Sequence, residues 1–585
     1  MKRLLVIPPS VVDDLETIEA SIQKASLVYC GDLTLLSDVA DRHPNVISQL
    51  DLCSKSIVKF YEQLDPDKLI ARISRDLNEL GDGHTESFSF KFGSYFEFQI
   101  RILIEEYLAV YSLFFHIINK FDGDTIEVIS RKSIKERFGF RSSLDQMYLN
   151  VITCLTSQQF KHRIIGTRVD STHRAGRSRK KQLFEFLLAN RFFNLIAALM
   201  LNLHLLGSMR FLRDSIIIWK KRIMLIGPAY CWKYVIGENT DARFQAVLGS
   251  VLFPKAANEM VNIIFKRRFS ESEIPYFDLS HQIQLVSGTI EYILLHHDRF
   301  SKMISRYEYA VGSIFCFPVE SYVCHLFRHH EKAVVAWQHG EMALYSDKYS
   351  ESSEWQFTSH YLAYAEGVKR HYLRVSPFKD SQIKVVGYPG SLDRAQAKKT
   401  GNSTNIAYAT GKWFHGTAFQ EEMDPDVRLY HSQSVLTEYF LKLDKKGYGI
   451  HLFPNNTPGQ NGLINQHKIQ HLVSTESFAH SLDCYDLVIL DCPSTTCIEV
   501  CRTNIPLFCL SGRRSWYAEP LNLLKKRAVI CDSLDDLILS VDNFLKNDVY
   551  PADVNDRNFV RMYGAECSEY ESKKRANDFL NTFIG

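Results

Sequence analysis

The chain lacks a C-x-x-C pair, a long apolar run near its start, and an excess of charge of either sign. Its thirteen cysteines are scattered, so the usual spacing of a zinc or dithiol site is missing. Before Pro8 and Pro9 only Leu4, Leu5, Val6 and Ile7 run consecutively apolar. A secretory leader needs a longer stretch, so none is read, and a reduced cytoplasmic setting is expected. With 69 basic against 67 acidic residues and a net charge of +2, nothing draws the chain to nucleic acid, and no such partner is expected.

Several catalytic signatures are also missing. No G-x-G-x-x-G opens a helix, which argues against a dinucleotide oxidoreductase. Thr410-Gly411-Lys412 has no G-x-x-x-x-G-K-[ST] around it, so it is not a phosphate loop of that type. There is no H-E-x-x-H, no G-x-S-x-G elbow and no D-x-D at a strand end. No metal and no separate cofactor are expected. Cys492, Cys497 and Cys501 lie close together, but a strand end followed by two cysteines one helical turn apart reads as core.

What is present is apolar patterning of an α/β chain. Hydrophobic residues make up 45% of 585, enough for two or three domains. Short apolar runs at 2–10 and 25–32 read as strands around a helical 11–23, and 124–130 as another strand. Residues 50–120 read as mostly helical. From 280 the alternation sharpens, with strands at 309–321, 333–338 and 382–391, and with 360–374 reading as a strand followed by a helix. The polar stretch 394–404 reads as a linker. Beyond it, strands at 404–410, 448–454, 486–492, 506–510 and 527–531 alternate with helices near 430–446, 464–482, 494–503 and 534–546. This last third reads as a Rossmann-like domain of about five parallel strands. The expected division is 1–395, with a helical, basic-apolar insertion at about 161–300, and 396–585, ending in a helix.

Within that insertion, residues 174–213 join a basic cluster (Arg174, Arg177, Arg179, Lys180, Lys181) to a very apolar stretch interrupted by Glu185, Asn190, Arg191 and His204. The interruptions argue against a membrane span, for which ~20 predominantly apolar residues are needed. Two readings stay open: a buried helix, or a helix lying on an anionic membrane surface.

Ligands of doubly wound sheets bind at the carboxyl ends of the strands. Four strand ends stand out. Asp491-Cys492-Pro493 is followed by Ser494, Thr495 and Thr496 opening a helix, whose free N–H groups and hydroxyls suit a phosphate; an ordinary N-cap uses the same residues. Glu499, one turn on, is placed to accept ribose hydroxyls. Thr410, Gly411 and Lys412 follow a second strand, and His451 and Pro454 belong to a third. The fourth carries Trp337-Gln338-His339-Gly340, where His339 is a candidate phosphate contact or base and Gln338 alternates to the opposite side and is expected to tolerate change better. Asp82 and His84, in the polar loop "GDGHTES", are candidate bases toward an acceptor.

The order "WQHG", "YLAYAEGVKRHY", "IKVVGYPGSLDR", "NIAYATGKW", "HLFP", "YDLVILDCPSTTCIEV" resembles bacterial GT-B glycosyltransferases that build surface polymers, of the CDP-glycerol glycerophosphotransferase-like and capsule polysialyltransferase-like kinds. The resemblance covers roughly 305–545. It implies a GT-B-like α/β fold, two Rossmann-like domains facing an interdomain cleft, with donor phosphates held by the hydroxyl turn and His339 near the cleft. It also implies metal-independent transfer from a nucleotide-activated sugar to a polysaccharide, lipopolysaccharide or lipid-linked acceptor, inside the cell or on the inner face of the plasma membrane. This chain departs from the pattern at Ala409-Thr410-Gly411, where the family often has Ala-Pro-Thr, and at Pro493-Ser494-Thr495-Thr496, where it often has paired serines. A nucleotide-sugar epimerase of the same architecture and a non-catalytic assembly subunit remain alternatives.

Overall fold

Parallel strands covered on both faces need short, uniformly apolar runs, and the chain folds on such runs. The computed structural model describes residues 2–8, 15–31, 35–48, 55–82, 88–131, 144–158, 162–169, 223–226, 243–244, 255–274, 279–313, 317–338, 354–388, 404–411, 426–454, 469–511, 516–564 and 567–583, with Phe315 and Leu344 besides. It divides into two units. One comprises the chain to Gly227, Asn239–Glu308 and Phe315–His330; the other is built chiefly from Tyr309–Ile314 and Glu331–Gly585.

The first unit is centred on a parallel sheet of β1 (Arg3–Ile7), β2 (Leu27–Cys30), β3 (Val46–Ser48), β4 (Thr125–Arg131) and β5 (Arg163–Val169), in the order β3-β2-β1-β4-β5. Leu4 pairs with both Leu27 and Ile126 and is wholly buried. The order is that of one classic doubly wound sheet. Helices occupy Lys55–Gln63, Pro66–Glu79 and Phe92–Lys120, as the periodicity of 50–120 predicts. The second of these is started by Asp65, whose side chain accepts the Lys68 N–H, and by Pro66 in its first turn. Phe92–Lys120 is long and apolar enough to cross a membrane, but 78% of its most apolar stretch is buried inside the protein. Its Arg101 pairs with Asp67 at 2.7 Å, as a core helix carrying a charge requires.

One expectation is corrected here. The region from 161 is not only helical: Arg163–Val169 pairs residue for residue with β4 as an edge strand, because a seven-residue ladder outweighs its basic ends. The described residues hold three sheets in all. Residues 174–213 and the linker 394–403 lie outside the described residues.

Two short strands, β6 (Ile223–Ile226) and β7 (Arg243–Phe244), pair with each other in parallel. The second unit carries β8 (Tyr309–Gly312), β9 (Ala333–Trp337), β10 (His360–Ala363) and β11 (Ile383–Val385), paired in parallel in chain order. It also carries β12 (Asn405–Ala409), β13 (Gly449–Phe453), β14 (Leu487–Leu490), β15 (Leu507–Leu510) and β16 (Val529–Cys531), in the order β13-β12-β14-β15-β16. Helices Asp426–Asp444 and Leu534–Asn547 pack Leu436, Phe440, Leu537 and Val541 onto Ile406, Tyr408, Ile489 and Phe508. Of the helix expected at 464–482, the described part, from 469, holds single turns at Gln470–Leu472, Phe478–Ser481 and Leu482–Cys484. Ser474-Thr475-Glu476-Ser477 interrupts it with residues that favour caps and turns. The helix Glu569–Asn581 begins at a capping box of Ser568 and Glu571 and returns to the first sheet of this unit. Phe583 packs on His360 and Tyr309, with ring centroids 4.6 and 5.6 Å apart.

Candidate functional site

The order β13-β12-β14-β15-β16 reverses direction between β12 and β14, and such a switch point opens a crevice at the carboxyl ends of those two strands. Asp491, the residue after β14, spans it. Its Oδ1 accepts the Gly411 N–H at 2.6 Å and its Oδ2 accepts the Tyr408 hydroxyl at 2.8 Å. The Gly411 carbonyl in turn accepts from Gln433 Nε2 at 3.2 Å, and the Thr410 N–H donates to the Phe453 carbonyl at 3.2 Å. A Cβ at Gly411 would stand 3.0 Å from both Cys492 Cβ and Leu429 Cδ2, so any larger residue there would press the two strand ends apart by a few tenths of an ångström.

Ser494, Thr495 and Thr496 follow on β14 and are half-buried. Ser494 is the N-cap of the helix Thr495–Cys501: its hydroxyl accepts the Thr496 N–H at 3.3 Å and its carbonyl the Cys497 N–H at 2.8 Å. The cap and the hydroxyl-lined strand end are therefore one feature. Cys492, Cys497 and Cys501 are buried, and no group of three His, Cys, Asp or Glu able to hold a metal occurs among the described residues.

Glu499 has a partner that the sequence did not suggest. Its Oε1 accepts the Tyr388 hydroxyl at 3.1 Å. Tyr388 follows Gly387, whose φ of 96° places it in the left-handed region; a Cβ there would fall 2.0 Å from Cys567 Sγ. The Arg502 guanidinium lies 4.7 Å above the Tyr388 ring. Burial pulls the Arg502 pKa down to about 10, partly opposed by Tyr388, Cys567 and Glu499.

Strand β9 delivers Trp337 and Gln338, both buried. The reading of Gln338 as the more replaceable neighbour is corrected. Its N–H donates to the Leu362 carbonyl at 3.0 Å and its Oε1 accepts the Tyr364 N–H at 2.9 Å, so it ties the end of β9 to the end of β10. The alternation rule fails because the strand has already ended at Trp337. Beyond β9, Leu344 accepts the Tyr517 N–H at 3.1 Å, which joins this edge to the segment after β15. The His371 ring lies tilted against that of Tyr517, with centroids 4.4 Å apart, and burial with Arg374 nearby lowers its pKa to about 4.

Of the other residues singled out, Pro454 ends β13 beside Thr410, whereas His451 lies inside that strand opposite Ala407, its ring 5.2 Å from Tyr485. Asp82 is an exposed turn residue that accepts from Ser89 Oγ at 3.4 Å. His339, Gly340, His84 and Lys412 lie outside the described residues. The structure brings Thr410 and Gly411 to the strand end that Ser494 to Thr496 follow, and sequence reasoning missed Asp491 as the tie and Tyr388 as the partner of Glu499. The glycine-aromatic pair in "VVGYPG" was the available signal for Tyr388.

No family model matches the chain, and no curated protein matches it in sequence. Solved structures resemble parts of it. One is the apo form of the lipopolysaccharide outer core galactosyltransferase WaaB, at 12% identity over 50% of this chain and 82% of that one, with a TM-score of 0.32. A glycosyltransferase from Rickettsia africae aligns at 13% identity over 62% and 98%, with a TM-score of 0.35. A putative UDP-N-acetylglucosamine 2-epimerase from Listeria monocytogenes aligns at 11% identity over 62% and 94%, with a TM-score of 0.35.

Proposed function

We propose that the chain is a GT-B-type glycosyltransferase that moves a sugar, or a polyol phosphate, from a nucleotide-activated donor to a surface-polysaccharide, lipopolysaccharide or lipid-linked acceptor. The observation that carries this reading is the switch point: Asp491 holds Gly411 against the end of β14, and the hydroxyls of Thr410 and of Ser494 to Thr496 follow those same strand ends. Helix N–H groups and hydroxyls gathered there suit a diphosphate. Glu499, one turn further along, suits ribose hydroxyls.

In this reading, for a sugar, the acceptor hydroxyl oxygen bonds to the donor carbon as that carbon's bond to the phosphate oxygen breaks; for a polyol phosphate, it bonds to the donor phosphorus as the bond from that phosphorus to the nucleotide's oxygen breaks. The hydroxyl proton passes to a base, and the nucleotide leaves with the electron pair. We assign the base to His339, directly after the Gln338 tie, with Asp82 or His84 as the other candidates. Charge on the departing phosphate is assigned to Thr410, Lys412, Ser494, Thr495 and Thr496 rather than to a metal. The basic-apolar segment 174–213 is assigned to an anionic membrane surface on the cytoplasmic side, near a lipid-linked acceptor.

The test is thermal unfolding with CMP, CDP, UDP and GDP. One of them, at 100 times its dissociation constant, should add ~2.7 kcal/mol of stability. No shift with any of the four at millimolar concentration would end the nucleotide assignment.

A further inference from the structure

We propose that Tyr388 is a positioning residue for nucleotide recognition: it holds the Glu499 carboxylate in one orientation before a ribose arrives. The inference rests on the reading of Glu499 as the ribose contact. A half-buried glutamate on a seven-residue helix spreads over several rotamers, and freezing it costs entropy when a ligand binds. Prior fixation removes that cost.

The geometry supplies the fixation from several directions. Gly387, with φ 96°, presses against Cys567 and sets the backbone. The Tyr364 ring meets the Tyr388 ring edge-on at 5.1 Å, and Arg502 covers it at 4.7 Å. The hydroxyl then falls 3.1 Å from Glu499 Oε1. Tyr364 is itself held through its N–H by Gln338. A continuous set of contacts thus runs from the end of β9 to the ribose contact, through residues that touch no phosphate in this reading. A phenol offers the carboxylate a single hydrogen bond and leaves its other lone pairs to accept from a ligand.

The experiment uses the full chain and measures dissociation constants for CMP, CDP, UDP and GDP and for their 2′-deoxy and 3′-deoxy forms. In the wild type, the nucleotide that binds should outdo at least one of its deoxy forms by about tenfold. Tyr388→Phe keeps the ring under Arg502 and removes only the hydroxyl. It should reduce that preference to less than about threefold while leaving the affinity for the deoxy form unchanged. Glu499→Gln should abolish the preference, and adding Tyr388→Phe to it should change nothing further. Retained discrimination in Tyr388→Phe overturns the proposal, as does a parallel fall in ribo and deoxy affinity, which marks a structural role. A wild type that binds nucleotide without discriminating overturns it while leaving the phosphate reading intact. A wild type that binds none of these nucleotides overturns both.

Discussion

Asp491 and Gly411, 80 positions apart in the chain, meet at 2.6 Å, carboxylate to backbone N–H, where the order of the last sheet reverses. The carboxylate is 2% exposed and also holds the Tyr408 hydroxyl. It therefore organises the strand ends and is not spent on a ligand. Asp491→Ala should leave two buried donors unpaired and cost roughly 3 kcal/mol of stability. Asp491→Asn keeps the volume and one acceptor and should cost about half as much. Urea unfolding of the two variants checks the order.

Ser494→Ala with Thr495→Ala removes the N-cap and two hydroxyls together. The cap alone is worth ~1 kcal/mol. Each lost hydrogen bond to a charged phosphate is worth roughly 1.5–3 kcal/mol. The double variant should lose at least tenfold in nucleotide affinity, measured by calorimetry, with only a modest drop in melting temperature. Normal binding would sink the phosphate assignment.

Gln338 and His339 are adjacent and should respond in opposite ways. Gln338→Ala strips a buried acceptor from the Tyr364 N–H and should destabilise by about 1–3 kcal/mol. His339→Ala should lower turnover by about 10² to 10⁴ if the imidazole takes the acceptor proton, with little change in melting temperature. Turnover and unfolding measured on the same preparations separate the two. A destabilised His339→Ala variant with proportionate activity would remove it from the chemistry.

Glu320 gives a pH dependence. It is wholly buried in the first turn of the helix Pro318–His329. Burial pushes its carboxyl up to about 8, against a smaller opposing effect of the Phe317 backbone. Because the folded pKa lies above the ordinary value of 4.5, the associated stability is fully present below pH 4.5 and is lost as pH rises to about 8. Glu320→Gln carries no such titration. It should be the more stable protein at pH 8, by an amount of the order of 3 kcal/mol, with the gap shrinking toward pH 5. Parallel melting curves at pH 5, 6.5 and 8 test this, and a constant gap would show that the carboxyl does not titrate there.

The sequence was most readable where strands are short apolar runs between turn residues. Each of β8 to β16 falls inside or within a residue of its expected segment, because strands buried on both faces leave little other pattern. The strand ends were readable for the same reason, since a glycine or hydroxyl after such a run stands out. What joins those ends was not readable. Tyr388 and Glu499 are 111 residues apart, and Asp491 and Gly411 are 80. Neither pairing leaves a trace in local spacing. In the first sheet the runs of β1, β2 and β4 were readable, whereas β3 was not, and β5 was missed because 161–169 was grouped with the basic segment after it, although its own residues form a seven-residue ladder. Gln338 was misjudged by extending strand alternation one residue too far.

The helix Glu569–Asn581 and Phe583 cover aromatic side chains of β8 and β10. His360 and Phe583 are separated by 223 positions (583 less 360). At synthesis rates of roughly 5–20 residues per second, the newly made strand waits roughly 10 to 45 s for its cover. During that interval Tyr309 and His360 lack the ring contacts that Phe583 supplies in the folded chain.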